Sequence, residues 1–392
     1  VRIAGIICEY NPFHTGHRYQ IEQTKKLLGQ DSAIVCLMSG GFVQRGQCAM
    51  FDKYVRAEAA VRCGADLVLE LPVTSAISSA EGFASGAVDI MQKLGFVDTL
   101  SFGCESGSEE PLVAAADILK SVSFAENLKK HLESGMSFAS ARQAAVAELD
   151  VKAAEALSRP NDILAVEYLK ALSCSDVQPL AIARKGADHD GTAVGNISSA
   201  SEIRRLIAEK KDDWKQFVPE AAAELIETEI NQGRVYSMTN AERSILYRLR
   251  TMSNEDFDAL PFSSEGLHIR FMHAARSSTT VAEVIEKTKT KRYPHSRIRR
   301  MVLCAFLGIS EADMSMKSPY VRVLAFNDTG RKLIRQAQIP LLQLGKQAGK
   351  MGQEAKTYFE LECRCADILS LCLPDGTKPP VGEEWVKRSK YV

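Results

Sequence analysis

Over the first two hundred residues, short apolar runs alternate with amphipathic segments. Arg2–Glu9, Ser32–Met38, Asp66–Leu71, Thr99–Cys104 and Gln178–Arg184 are almost uninterrupted apolar stretches of strand length. His17–Leu28, Asp52–Cys63 and Ala80–Leu94 lie between them with helical periodicity, and Gly64 and Gly95 stop the last two. Near-continuous apolar strands separated by helices predict a parallel sheet covered on both faces. The pattern changes at about Glu110. Ala114–Leu119, Ala125–Leu132, Phe138–Leu149 and Asp162–Leu172 read as successive helices, predicting a helical insertion over about 110–172 before the last strand. Beyond about residue 208 the chain reads as almost wholly helical: Ala221–Gln232, Ala241–Thr251, Val281–Thr288, Ser296–Leu307, Gly330–Ala337 and Glu354–Leu371. The expected architecture is therefore α/β: a doubly wound parallel sheet in residues 1–208 with a helical insertion, then a mostly helical domain over 209–392. The charged run AEKKDDW marks the boundary, and the Pro- and charge-rich stretch from Pro374 is expected along the surface.

Composition adds bounds. With 392 residues, 45% apolar and 25% charged, the chain has ample length for a core and the make-up of an ordinary globular protein. Its longest uncharged run, Ser32–Gln44, is 13 residues, too short to cross a bilayer. Ten cysteines without a CxxC pair read as reduced thiols in a cytoplasmic protein, and Cys363-Arg364-Cys365 as helix surface and core. The net charge of zero is unevenly divided. Residues 1–200 carry 18 Lys and Arg against 24 Asp and Glu, leaving 31 against 25 for the remainder, so polyanion contact is expected in the rear half.

The candidate chemistry begins at Asn11-Pro12-Phe13-His14-Thr15-Gly16-His17, directly after the first strand. A strand, a Pro-bearing turn and His-x-Gly-His opening a helix form a place for phosphates, with helix N-terminal amides, a bare glycine and two imidazole donors. A metal pair and a plain structural turn are the alternative readings. The segment resembles the HxGH nucleotidyltransferases and class I aminoacyl-tRNA synthetases. A second element, Asn196-Ile197-Ser198-Ser199-Ala200-Ser201-Glu202-Ile203-Arg204, offers a Ser cap and an arginine one turn on. It resembles the I-S-S-T-x-x-R-like element that nucleotidyltransferases of this fold carry after their fifth strand; its plain alternative is an ordinary N-cap with Arg204 in solvent.

Longer segments sharpen the resemblance. GIICEYNPFHTGH, MSGGFVQRGQCAMFDKYVRAEAAVRCGADLVLELP, LSFGCESG, SRPNDILAVEYLKAL, NISSASEIR and TKRYPHSRIRRMV are similar to the bacterial tRNA(Met) cytidine acetate ligase family. Cys48 and Gly41 depart from that family's usual Pro and Asn. The resemblance implies a HUP-type Rossmann fold and an enzyme that forms acetyl-adenylate from acetate and ATP, with Mg2+ expected alongside ATP. The acetyl group would pass to N4 of the wobble cytidine, position 34, of elongator tRNA(Met). An alternative is a nucleotidylyltransferase moving AMP or CMP onto a small phosphorylated acceptor.

The resemblance also implies site residues. ATP contacts are expected from Ile7, Cys8, Glu9, Tyr10, Asn11, Pro12, Phe13, His14, Thr15, Gly16, His17 and Gln20, and from Gly103, Asn161, Arg184, Ser198 and Ser199. His14, His17, Lys53 and Arg204 are the expected catalytic groups. Plain alternatives stand beside several: a strand-end turn for Gly103, an N-cap for Asn161, a surface charge for Arg184, and a solvated helix face for Lys53 and Arg56. In the rear half, Lys289, Lys291, Arg292, Arg297, Arg299 and Arg300, interleaved with Tyr293 and His295, are expected to contact RNA unless they are merely solvated helix charges. Lys346, Lys350 and Lys356 form a second basic candidate, and Trp214 and Trp385 read as packing residues.

Overall fold

A computed structural model describes residues 1–184 and 198–392. Its strands are β1 (Ile3–Cys8), β2 (Ala33–Ser39), β3 (Phe42–Val43), β4 (Gln47–Cys48), β5 (Leu67–Leu71), β6 (Thr99–Cys104), β7 (Gln178–Ala183), β8 (Val321–Phe326), β9 (Leu341–Leu342) and β10 (Lys390–Tyr391). The main sheet runs β10-β8-β5-β2-β1-β6-β7, with β9 beside β8, while β3 and β4 form a separate hairpin. From β5 to β7 every pairing is parallel, and β8 joins β5 antiparallel. All seven residues of β2 are buried. Val35 and Leu37 join the core on one face with Leu67, Leu69, Leu100 and Phe102; Ile34, Cys36 and Met38 join Ala4, Ile6 and Val68 on the other. This two-sided burial explains why the strand reads as one apolar run.

The expected front-half strands and helices are present. Helix α1 covers Thr15–Leu28, two residues earlier than its periodicity predicts, and α2 covers Lys53–Arg62. Helices Glu110–Ile118, Val122–Glu133, Phe138–Ala147 and Val151–Ala156 fill the expected insertion. Pro160–Leu172, read as its last member, packs on β6, β7 and the helix Ala80–Leu94 and so covers the sheet itself.

The rear half departs from expectation in three ways. Helices Asn254–Asp258 and Leu267–Ser277 lack a clear signal in the sequence. Strand β8 stands where no strand was expected, because Arg322 interrupts its apolar run; that side chain is 2% exposed and donates to the Tyr54 hydroxyl (2.9 Å) and the Glu384 carbonyl (2.9 Å). The tail runs mostly along the surface, as expected, but it buries Glu384 in the short helix Glu383–Val386 and adds β10 to the sheet. Residues on both sides of position 208 therefore share one sheet. A second, helical core contains Ile245, Leu249, Phe257, Phe271, Ile298 and Leu303, and it reaches Phe42 and Cys48 of the hairpin.

Asp66 ties the junction together. Its carboxylate accepts from the Ile34 amide (2.8 Å) and from Asn327 Nδ2 (2.9 Å), joining the start of β2 to the end of β8. Asp66→Ala leaves a buried amide without a partner and is expected to lower unfolding free energy by about 2–3 kcal/mol. Urea denaturation checks this, and an unchanged midpoint would contradict it.

Candidate functional site

After β1 the chain turns through Tyr10, at φ 45°, and the cis Asn11–Pro12 bond. Asn11 Oδ1 accepts from the Met50 amide (2.8 Å) and holds the turn down. Tyr10 and Phe13 pack edge to face at 4.8 Å, and both rings touch His17, at 4.7 and 5.6 Å. The side chains of Cys8, Tyr10, Asn11 and Phe13 are buried and support the turn.

His14 caps α1. Its Nδ1 accepts from the Gly16 amide (3.0 Å), and its own amide donates to His17 Nδ1 (3.2 Å). With both Nδ1 atoms accepting, each neutral ring carries its proton on Nε2. The rings stack with centroids 3.7 Å apart and 29° between planes. Burial holds His14 down to about 3, with the Arg184 and Arg204 charges adding to the effect. Burial also holds His17 well below its usual value, helped by His14 and Arg184. The pair thus presents two uncharged N–H donors at neutral pH. The free helix amides expected here already have partners: Gly16 donates to His14 Nδ1, while the amides of His17 (2.9 Å) and Arg18 (3.2 Å) donate to the His14 carbonyl.

The pair opens into a cleft of ≈ 500 Å³, counted to its mouth, which Gln20, Gly103, Arg184, Ser198 and Ser199 also line. Gln20 donates to the Ser101 carbonyl (3.3 Å). Ser199 caps the helix Ala200–Ala208 by accepting from the Glu202 amide (3.2 Å). Ser198 is 3% exposed, and its hydroxyl has no hydrogen-bond partner among the described residues. Lys185, His189, Asn196 and Ile197 lie outside the described residues. Arg204 reaches back to donate to the Asn11 carbonyl (2.6 Å) and Ser201 Oγ (3.2 Å), bracing the turn beneath His14.

On the opposite wall, Arg184 donates to Asn161 Oδ1 (3.4 Å), and Asn161 donates to Glu105 Oε1. Asn161 is not the cap; Arg159 holds that position. A Cβ on Gly103 would lie 3.3 Å from Arg184 Cγ, so the glycine makes room for that arginine. Asp162, which the sequence reading passed over, is fully buried and accepts from the Glu105 (2.6 Å) and Ser106 (3.3 Å) amides, shaping the loop after β6.

Lys53 is not in this cleft. Its Nζ donates to both oxygens of Glu70 (2.8 and 2.7 Å) and to Glu384 Oε2 (2.9 Å). Arg56, its neighbour on the helix, is 2% exposed and donates to the carbonyls of Phe51, Glu9, Ser39 and Gly40. The face expected to be solvated or phosphate-bound is therefore interior. Lys53, Glu70 and Glu384 line a second cavity.

The basic stretch divides. Lys289, Lys291 and Arg292 are exposed and Arg299 is half-buried. Arg297 donates to the Phe262 carbonyl (2.9 Å) and Ser264 Oγ (2.7 Å), and Arg300 is buried over the Phe262 ring at 5.0 Å. Tyr293, expected as a base platform, is buried and donates to the Glu265 carbonyl (2.6 Å). Lys346, Lys350 and Lys356 are exposed. Tyr247, 71% exposed between Arg243 and Arg248, is an aromatic the sequence reading did not single out. Trp214 is buried, and Trp385 packs edge to face on Phe359 at 4.7 Å.

The HIGH Nucleotidyl Transferase family matches residues 1–381. A tRNA(Met) cytidine acetate ligase of Fervidobacterium nodosum is 37% identical over 91% of this chain and 87% of its own length. One from Acetivibrio thermocellus is 34% identical over 99% of both. The chain belongs to the tRNA(Met) cytidine acetate ligase family of HIGH nucleotidyl transferases. The apo structure of Thermotoga maritima TmcAL superimposes with a TM-score of 0.93 at 30% identity over 100% of both chains. A second structure of that protein, bound with alpha-thio ATP, gives a TM-score of 0.91. Within this family fold, no helix among the described residues is long and apolar enough to cross a membrane. No group of three or more His, Cys, Asp or Glu side chains among them is placed to hold a metal ion.

The depressed histidine has a measurable consequence. In the unfolded chain His14 titrates near 6.5, whereas in the fold burial holds it at about 3. Between those values the unfolded state binds the extra proton, so this group's stability contribution is present above pH 6.5 and is lost as pH falls toward 3. Thermal melts of wild type and His14→Asn should show a steeper acid loss for wild type across this window. Parallel curves would contradict the burial argument.

Proposed function

We propose that this chain activates acetate with ATP and transfers the acetyl group to N4 of the wobble cytidine of elongator tRNA(Met), yielding N4-acetylcytidine. The observation that carries the reading is the uncharged, stacked His14–His17 pair, its donors fixed on Nε2, opening into the cleft that Arg184, Ser198 and Ser199 line. The relatives' names and the nucleotide-bound neighbour support it.

An acetate oxygen attacks the α-phosphorus, and the bond to the β-phosphate bridging oxygen breaks, releasing pyrophosphate. Charge grows on phosphate oxygens, where Nε2–H donors and a nearby guanidinium stabilise it most. Neutral imidazoles give no protons away and keep their orientation. His14 and His17 act directly on the phosphates. Arg184 and Asn161 hold the nucleoside end, and Ser198 and Ser199 offer hydroxyls to the phosphate chain. Arg204 fixes the turn and adds positive potential. Mg2+ enters as the ATP complex, as part of the substrate. The cytidine amine then attacks the acetyl carbonyl carbon, AMP leaves with the bonding pair, and the amine loses a proton to solvent.

RNA is held by the exposed cations Lys289, Lys291 and Arg292 and by Tyr247 with Arg243 and Arg248. Lys53 belongs to the second cavity rather than to the adenylation step.

Acetate-dependent ATP–pyrophosphate exchange tests the first half-reaction. His17→Ala is expected to lower exchange by about 100-fold or more, the scale of losing a positioned donor, and Arg204→Ala to lower it by loosening the turn beneath His14, while tRNA affinity persists in both. Exchange at wild-type rate in either variant would remove that residue from the step. Replacing Lys289, Lys291 and Arg292 together by Ala should leave exchange intact and flatten the salt dependence of tRNA binding by about 2 in log–log slope. An unchanged slope would exclude the patch.

A further inference from the structure

The second cavity lies on the same carboxyl edge of the sheet as the histidine cleft. Cys8 of β1 pairs with Met38 of β2, and Met38 with Glu70 of β5. Glu70 is thus two strand spacings, about 10 Å, from the end of β1. The buried Arg56 guanidinium stands between them, bonded to the Glu9, Ser39 and Gly40 carbonyls. Both halves of the chain build the cavity. Gly40, Gly41, Lys53 and Glu70 come from the front half, Glu362 and Leu369 from the helix Gln353–Leu369, and Glu384 from the tail.

The two glycines keep the space open. A Cβ on Gly41 would lie 2.5 Å from Leu369 Cδ2, and one on Gly40 2.1 Å from Glu70 Oε1. Six carboxyls line the cavity: Asp52, Glu70, Glu362, Asp367, Glu383 and Glu384. Lys53 binds Glu70 and Glu384, and Arg322 lies 3.2 Å from Glu384. Glu362 has no ion pair among the described residues. Its Oε2 accepts from the Tyr320 hydroxyl (2.7 Å), and its other oxygen has no hydrogen-bond partner among the described residues.

We propose that this cavity receives the acceptor base, a pyrimidine bearing an exocyclic amine swung out of an RNA loop, and that Glu362 reads its N3–N4 edge. The proposal rests on reading the histidine cleft as the adenylate site. The carboxyl is uncharged when it does so. Burial, with Glu70 and Glu384, pushes Glu362 up to about 8 against the opposing influence of Lys53 and Tyr320. A neutral carboxyl offers one donor and one acceptor side by side. Tyr320 marks Oε2 as the carbonyl oxygen, leaving the proton on Oε1. Cytosine presents the complement, an N3 acceptor beside an N4 donor, whereas uracil presents an N3 donor beside an O4 acceptor. Taking an unpaired base out of a loop is the common mode of RNA sequence recognition.

The test uses full-length protein with Glu362→Leu and Glu362→Gln, a tRNA(Met) transcript and labelled acetate. Acetate-dependent pyrophosphate exchange within twofold of wild type shows both variants folded and adenylating. Glu362→Leu is then expected to lose acetyl transfer by about 100-fold, because the base's polar edge is left unpaired. Glu362→Gln keeps a donor beside an acceptor and should stay within about tenfold of wild type. Wild-type transfer should decline above pH 8 as Glu362 loses its proton, the groups facing it being Glu70, Lys53, Asp52, Tyr320, Arg322, Tyr358, Cys363, Cys365, Asp367, Glu383 and Glu384. The Gln variant should lack that alkaline limb. Transfer at wild-type rate by Glu362→Leu, or an identical alkaline limb in wild type and Glu362→Gln, overturns the proposal. Absence of exchange in wild type overturns the adenylate reading and this proposal with it.

Discussion

The arrangement depends on one buried cation. Among the described residues no carboxylate binds the Arg56 guanidinium; it donates to the Glu9, Ser39 and Gly40 carbonyls at the carboxyl edge of β1 and β2 and to the Phe51 carbonyl just before α2. Burial pulls its pKa down to about 10, and the surrounding charges of Asp52, Cys8, Glu9 and Glu70 pull the other way. It therefore stays a cation where strand-end carbonyls would otherwise lack donors. The turn carrying His14 leaves the sheet on one side of it, and the Gly40–Gly41 turn leaves on the other. One guanidinium fixes the relative placement of both cavities.

The histidine pair shows a local structural device also serving chemistry. His14 and His17 satisfy the first amides of α1 as a cap does, and that bonding fixes both protons on Nε2. Stacking against each other and against Tyr10 and Phe13 removes them from water, which keeps them neutral. Helix start, tautomer and charge state follow from one set of contacts. Both rings line the cleft, so their donors are set before a ligand arrives.

Much of this was legible in the sequence. Two-sided burial made β1, β2, β5 and β6 apolar runs, and the spacing of His14 and His17 put both rings on one side once α1 began at Thr15. What was hidden depends on distant pairings. Arg322 looks like a surface charge that ends a strand until Glu384, 62 residues later, is placed against it. Lys53 sits at helical spacing from Arg56 and reads as a phosphate ligand; only the fold brings Glu70 and Glu384 to it. Tyr293 and Arg297 read as an RNA surface because periodicity does not reveal that Phe262, Ser264 and Glu265 cover them. Local patterns carry the elements and the motif, and long-range electrostatics decide which charges are structural.

The central claim is that the cleft makes an acyl-adenylate that is consumed on RNA. Wild-type protein incubated with ATP, labelled acetate and tRNA(Met), followed by nuclease digestion and nucleoside mass spectrometry, tests it most directly. The account predicts label in N4-acetylcytidine from a single position, dependent on both ATP and acetate. RNA free of label, with AMP transferred instead to a small phosphorylated acceptor, would contradict it.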